Sequence, residues 1–309
     1  MERIPVTPAE VLRAVEDVLL SLAQGASVNP TKLSFETPGG DGVVYAMTGY
    51  DAATRTVGFK NSYRFGAHGE HAAMRYHVTL ALYDDRTGLS LGLVDAQHIG
   101  AMRTPAVTAL FARTAKPRAK TALVVGSGAQ AQLATPFLVE ACPTIERTMI
   151  FGTHQSGLAS AVKALSSHDR NRNLEVVTDL AKAAREADIV VGASGPRCAE
   201  FVRAADLKNG AIAILVGYGL HSETLHSADY RIATHAGQMK VTGADLANEK
   251  GELPEIDAEL PDILSGHARP RLAESDKVFA YNSGLVVTDI AVGRLLVDRV
   301  TSAGALRAG

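Results

Sequence analysis

The stretch Thr121-Ala122-Leu123-Val124-Val125-Gly126-Ser127-Gly128-Ala129-Gln130-Ala131 decides the fold. Its first half is an unbroken apolar run, the pattern of a strand buried on both faces, as in a parallel sheet. A G-x-G-x-x-A turn follows, and then a helix-like stretch. Gly126 permits the tight turn, Gly128 lets the backbone approach a pyrophosphate, and Ala131 is small enough for a helix to lie close to the sheet. The free N–H groups at the helix start favour phosphate. Glycine turns also occur for packing alone, so the reading as a dinucleotide site depends on what surrounds this one.

Downstream, short apolar runs alternate with helix-like or connecting segments: Thr148 to Gly152, Leu174 to Thr178, Ile189 to Gly192 and Ile212 to Val216. That rhythm predicts a parallel sheet, with the glycine turn on its first strand. Tyr230 to Thr234 and Lys277 to Tyr281 read as further strands, and Leu285 to Val300 as an apolar helix. Upstream the pattern changes. Lys116 to Lys120 reads as a polar linker, preceded by a helix over Thr104 to Ala115 that starts at Thr104-Pro105. Val43 to Tyr50, Thr56 to Tyr63, Met74 to Tyr83 and Ser90 to Asp95 read as an antiparallel meander. Thr7-Pro8-Ala9-Glu10 carries a capping box, and Val11, Leu12, Val15, Val18, Leu19 and Leu22 repeat at helical spacing up to Gly25. The fold class is α/β: a Rossmann-type parallel sheet domain plus an α+β domain.

The chain has 309 residues, long enough for two domains, with 46% hydrophobic and 21% charged residues, as expected of a globular protein. A formal charge of -2, from 31 basic and 33 acidic residues, gives no field for nucleic acid or an anionic membrane, so a small molecule is the expected partner. No apolar run approaches the roughly 18 residues of a membrane span. Cys142 and Cys198 fall in neither a metal nor a redox motif and suggest a reducing compartment, hence a cytoplasmic protein. His68, His71 and His77 crowd one segment without the H-E-x-x-H spacing, so no metal is expected.

The second strand of a dinucleotide domain often ends in a carboxylate that binds the ribose 2′-hydroxyl, about 20 residues past the glycines. Here it ends Phe151-Gly152-Thr153-His154-Gln155-Ser156, with nothing to repel a 2′-phosphate and with Thr153, His154 and Ser156 as donors. NADP is therefore the expected cofactor, with NAD as the alternative. His154 reads equally well as an exposed loop residue.

Taken together, Val57-Gly58-Phe59-Lys60, Asp95 followed by Met102-Arg103-Thr104, the glycine turn, Gly251-Glu252-Leu253, and Asn282-Ser283-Gly284 with Asp289 resemble the ornithine cyclodeaminase/mu-crystallin family. The resemblance runs over most of the chain. It implies a substrate-binding and dimerisation domain from residues 1–118 with 284–309, an NAD(P)-binding domain over 119–283, and a homodimer. It also implies that Lys60 and Arg103 hold a substrate carboxylate beside the nicotinamide, with Lys32, Met47 and Tyr218 around the substrate. His98, which is no mark of the family, precedes Arg103 by five residues and so falls close to the expected substrate wall. Thr104, Gly126, Gly128, Ala129, Gln130, Thr153, His154, Ser194, Ser283 and Gly284 fall on the cofactor side. A lysine and an arginine converging on one carboxylate give charge-assisted hydrogen bonds. Read by residue type alone, Lys60 is a solvated strand residue, Arg103 a capping or salt-bridge partner, and His98 a packed or capping histidine.

The chain departs from the family pattern twice. Pro30-Thr31-Lys32 carries lysine where the family commonly has a carboxylate-binding arginine, replacing a fork by a point charge. Within Val216-Gly217-Tyr218-Gly219, Tyr218 stands where cyclodeaminases carry an aspartate, and a neutral tyrosine is a poor base near neutral pH. The expectation is hydride transfer between a nicotinamide and the α-carbon of a small imino or amino carboxylate. An ornithine or lysine cyclodeaminase and a low-turnover mu-crystallin-like binding protein are the alternatives.

Overall fold

A computed structural model describes residues 6–40, 42–66 and 75–307. The chain divides into two compact units, Met1–Arg103 with Gly284–Gly309, and Thr104–Ser283.

The first unit opens with helix α1 (Pro8–Ala23). The expected capping box is present: Thr7 Oγ1 accepts from Glu10 N, and the Glu10 carboxylate accepts from Thr7 N. Val11, Leu12, Val15, Val18 and Leu19 are buried along one face, and Gly25, at φ +70°, lies just past the helix end. Strands β1 (Leu33–Glu36), β2 (Gly42–Asp51), β3 (Thr56–Phe65), β4 (Arg75–Asp84) and β5 (Ser90–Asp95) form an antiparallel sheet in sequential order. The meander is as read, with one strand more. All four residues of β1 are exposed, so no burial alternation announces it. Met74, the expected start of β4, lies outside the described residues.

Helix α2 (Gln97–Ala115) begins well before the expected Thr104, because Asp95 Oδ1 caps it by accepting from Gln97 N. Pro105 sits inside the helix, not in its first turn, and removes the N–H that would otherwise reach the carbonyl of Ala101. The division between the units falls inside α2, earlier than the polar stretch at 116–120. Asn282 explains this by donating to the Thr104 carbonyl (3.1 Å) and to Thr108 Oγ1 (3.2 Å), which ties the C-terminal part of α2 to the second unit.

The second unit comprises β6 (Thr121–Val125), α3 (Ala129–Ala141), β7 (Arg147–Phe151), α4 (Gln155–His168), β8 (Leu174–Val176), α5 (Leu180–Glu186), β9 (Ile189–Gly192), β10 (Ile212–Leu215), α6 (Glu223–His226), β11 (Tyr230–Ala233), α7 (Ala236–Thr242), β12 (Ala258–Glu259), α8 (Leu260–Leu264) and β13 (Val278–Tyr281). Its strands pair in parallel in the order β12-β11-β13-β10-β9-β6-β7-β8. Strand order reverses between β6 and β9. In an open α/β sheet, the carboxyl ends of the strands at such a switch point form the ligand crevice. Leu123, Val125, Val190, Ala213, Leu215 and Phe279 are among the buried residues of this unit's core.

Helix α9 (Val286–Arg307) returns the chain to the first unit and packs on β2, β3, β4 and α1. Glycine permits the close approach: a Cβ at Gly58 would lie 2.3 Å from Ile290 Cγ1. Among the described residues no helix is long and apolar enough to cross a membrane.

Candidate active site

In the second unit, Gly126 at the end of β6 has φ +133°, and a Cβ there would stand 2.5 Å from the carbonyl oxygen of Ala193. Both conformation and space demand glycine. Gly128 differs: its φ is -78°, it caps α3 without a side-chain hydrogen bond, and a Cβ would enter open space. Gly128 and Ala129 are exposed, whereas Ala131 is fully buried against the unit. Thus the three small residues divide as the sequence requires, into a turn, an open approach to the start of a 13-residue helix, and a packing position.

Neighbouring segments hold the turn in place. A Cβ at Gly157 of α4 would lie 2.1 Å from the Ser127 carbonyl, and one at Gly152 would lie 2.9 Å from Ser127 Cβ. Gln132 Nε2 donates to the same carbonyl at 3.0 Å. On the other side, Ser194 Oγ donates to the Val125 carbonyl (3.1 Å), and Ser194 and Tyr218 exchange two backbone hydrogen bonds. Ser194 and Tyr218 therefore join Gly126 at the carboxyl ends of the central strands. Thr153 and His154 are exposed past β7, with Thr153 Oγ1 3.3 Å from His154 Nδ1. Ser283 N donates to Thr234 Oγ1 at 2.8 Å, beyond the end of β13. Thr104 is buried in α2 with its carbonyl engaged by Asn282 and Thr108.

The first unit carries the charged centre. Lys60 Nζ lies 2.7 Å from Asp289 Oδ1, and Arg103 Nε lies 3.2 Å from the same oxygen. These side chains are 5%, 14% and 1% exposed for Lys60, Arg103 and Asp289. Two cations thus share one carboxylate, leaving one positive charge over. Burial would raise the Asp289 carboxyl, but Arg103 and Lys60 together hold it below its ordinary value. Burial pushes the Lys60 ammonium down, which Asp289 opposes and Arg103 reinforces.

Glycine shapes this centre too. Gly284 has φ +66°, and a Cβ there would fall 2.8 Å from Arg103 Nη1 and 3.0 Å from Nη2. Gly284, expected on the cofactor side, makes room for the Arg103 guanidinium. Met47 is the β2 partner of Lys60 and so shares its face of the sheet. Lys32 Nζ sits 4.5 Å from the centre of the Tyr45 ring. Burial first, then the charges of Arg103, Lys60 and Arg64, lower the Lys32 ammonium to about 8. His98 is exposed in the first turn of α2, and five residues along a helix place it about 140° around the axis from Arg103.

Asp289, named above as a mark of the family resemblance, is the site residue to which the sequence reading gave no role. Its signal is a lone carboxylate in the apolar run Val286-Val287-Thr288-Asp289-Ile290-Ala291-Val292. Such a group stays buried and charged only with partners. Among the described residues no group of His, Cys, Asp and Glu side chains could hold a metal ion. His77 is exposed on β4, opposite Tyr63, while His68 and His71 lie outside the described residues.

Lys32 supplies a pH test. Its positive charge disappears as pH rises through about 8, so carboxylate affinity is expected to fall above that pH and to hold steady below it. Lys32→Arg, which stays charged, should move the decline to higher pH. A calorimetric pH series checks both, and a profile unchanged by the substitution excludes Lys32 as its source.

Comparison with known proteins bears on both centres. The profile of the ornithine cyclodeaminase/mu-crystallin family matches residues 3–304. The chain is 24% identical over 293 residues to nodulation efficiency protein NfeD of Rhizobium meliloti, covering 94% of this chain and 90% of that one. It is 25% identical over 271 residues to the ketimine reductase mu-crystallin of Rattus norvegicus, covering 84% and 82%. Among solved structures, the Thermococcus litoralis Δ1-pyrroline-2-carboxylate reductase in complex with NADH and L-proline superposes with a TM-score of 0.80 at 20% identity, covering 98% of this chain and 96% of that one. With the glycine turn, Lys60, Arg103 and Asp289 all within the matched span, the chain belongs to the ornithine cyclodeaminase/mu-crystallin family.

Proposed function

We propose that this protein is an NAD(P)-dependent oxidoreductase that moves hydride between a nicotinamide and the α-carbon of a small imino or amino carboxylate. The observation that carries the reading is the uncompensated cation pair: Lys60 and Arg103, buried around a single Asp289. Asp289 engages Arg103 through Nε, which leaves the two Nη groups for a substrate carboxylate in bidentate geometry. Lys60 supplies a second donor, and Met47 an apolar contact on the same face. Relatives that reduce ketimines or bind L-proline with NADH fit this assignment.

The dinucleotide, when bound, supplies or accepts the hydride. The residues of the second unit fit it: Gly126 makes the turn, open space lies beside Gly128, and α3 begins at the exposed Gly128 and Ala129. The strand end at Thr153-His154 carries no carboxylate, so NADPH is read as at least as good a cofactor as NADH. Tyr218 supplies no carboxylate for ring closure, which favours simple reduction or oxidation over cyclodeamination. A homodimer is also proposed. The face of the first unit's sheet turned away from Lys60 exposes Phe59, Tyr63, Tyr83 and Leu93, an apolar surface suited to a second copy.

The test incubates the protein with NADH and with NADPH against cyclic and linear ketimines, and with NAD+ and NADP+ against the parent amino acids, following nicotinamide absorbance and released ammonia. Net nicotinamide turnover is expected, and no ammonia release from diamino acids that proceeds without net change in nicotinamide. Arg103→Ala should then lower kcat/KM by one to two powers of ten, equivalent to roughly 1.5–3 kcal/mol for a charge-assisted bond, with Arg103→Lys intermediate. Lys60 still neutralises Asp289 in these variants, so folding and dinucleotide binding should persist. Binding of carboxylates without turnover of any of them would make the protein a binding protein instead.

A further inference from the structure

Lys60, Ser62 and Arg64 occupy alternate positions of β3 and therefore point to one face of the sheet. Their β2 partners on that face are Met47, Tyr45 and Val43, and the Tyr45 ring carries Lys32 Nζ above it. Four cations, Lys32, Lys60, Arg64 and Arg103, thus belong to one surface, and Lys32 feels the other three. Asp289 is shared by Lys60 and Arg103 and so is not available to Arg64. One substrate carboxylate at Lys60 and Arg103 would not account for Arg64.

Two atoms beside that centre lack a partner. Arg64 Nε is inaccessible to solvent and makes no hydrogen bond, and so is Ser62 Oγ, in a residue only 3% exposed. Arg64 enters no ion pair among the described residues. Buried donors are nearly always satisfied, and an orphaned pair of them next to excess positive charge calls for an anion. The hydroxyl and the guanidinium both donate, so an acceptor-only group such as a carboxylate suits them.

We propose that the substrate carries a second anionic group, and that Arg64 with Ser62 receives it while Lys60 and Arg103 hold the α-carboxylate. This rests on the carboxylate reading above and extends it to a substrate class: short dicarboxylic imino or amino acids. Strand geometry sets the spacing. Lys60 and Arg64 are four residues apart, about 13 Å along the strand. Two long side chains reaching toward Ser62 between them would leave the span of a short dicarboxylic acid. Arg64 and Ser62 are specificity residues in this scheme, and no step of the chemistry passes through them.

The test is calorimetric titration of the full chain, saturated with NADH, with butyrate, succinate and glutarate as unreactive probes. Succinate or glutarate is expected to bind at least tenfold more tightly than butyrate. In Arg64→Gln the ratio should fall to about one, and Arg64→Lys should keep part of it. Ser62→Ala, a small change should Arg64→Gln fold poorly, should lower the ratio several-fold. Equal affinity for butyrate and the dicarboxylates in the parent overturns the proposal while leaving the single-carboxylate site standing. So does a ratio that survives Arg64→Gln, or an Arg64→Gln defect confined to NADPH binding. Absence of binding by all three acids overturns the carboxylate reading together with this extension.

Discussion

Asp289→Asn is expected to destabilise the protein by about 3–5 kcal/mol, because it strips the shared counter-charge from two buried cations at once. Lys60 and Arg103 would then face each other with no carboxylate, in a setting where Lys60 is only 5% exposed. A urea transition should move to lower concentration with an unchanged slope. The double variant Lys60→Met with Asp289→Asn should lose less than the sum of its single changes, since removing one cation relieves the other. Acid should reproduce the effect. The Asp289 carboxyl is held below its ordinary value, so the stability it contributes is complete above the unfolded carboxylate range and is lost as pH falls through the folded value. A variant that unfolds at the parent urea concentration would show that the three charges do not form one structural unit.

Gly126→Ala and Gly128→Ala should behave oppositely despite lying two residues apart. At Gly126 the left-handed backbone costs a side chain about 1–3 kcal/mol, and forcing a Cβ to within 2.5 Å of the Ala193 carbonyl adds overpacking of about 1–3 kcal/mol. The turn must shift or the unit weaken, and in either case NAD(P)H affinity should collapse. At Gly128 the same methyl meets nothing, so the melting temperature should stay at the parent value. Any loss of NAD(P)H affinity in Gly128→Ala, and a larger one in Gly128→Val, would then report the approach of the pyrophosphate itself. Fluorescence titration with NADH and NADPH alongside thermal unfolding separates these outcomes. Unchanged affinity in both Gly126→Ala and Gly128→Val would remove the dinucleotide site from this turn.

The glycine turn and the parallel sheet were legible in the sequence because each rests on a local constraint. A continuous apolar run specifies a doubly covered strand, and the turn after β6 needs Gly126 whatever surrounds it. The capping box of α1 is equally local. Elements that depend on distant partners were less legible. Strand β1 has no buried face of its own, and the two-residue β12 exists only through its pairing with β11. The start of α2 was misplaced because Pro105 imitates a first-turn proline, while the cap comes from Asp95. In the charged centre, Lys60 and Arg103 could be named from the family resemblance, but their joint hold on Asp289 is a contact between segments far apart in sequence. Arg64 became visible only through the register of β2 and β3, which puts it two pleats from Lys60 on the same face.

The separation between those segments also bears on the order in which the chain folds. Asp289 lies 186 residues after Arg103, with the whole of the second unit between them. Closing a flexible loop of that size costs about 2.6 kcal/mol more than closing one of ten residues. Compaction of the intervening unit shortens the effective loop, so α9 should dock after that unit has formed. Until then β3 carries its lysine without a counter-ion, and the sheet lacks the helix that covers it. During synthesis the strands of the first unit therefore wait for the ribosome to deliver α9, exposed in the interval to mispairing and to chaperones. The ion triad would form late, so weakening it should speed unfolding more than it slows folding.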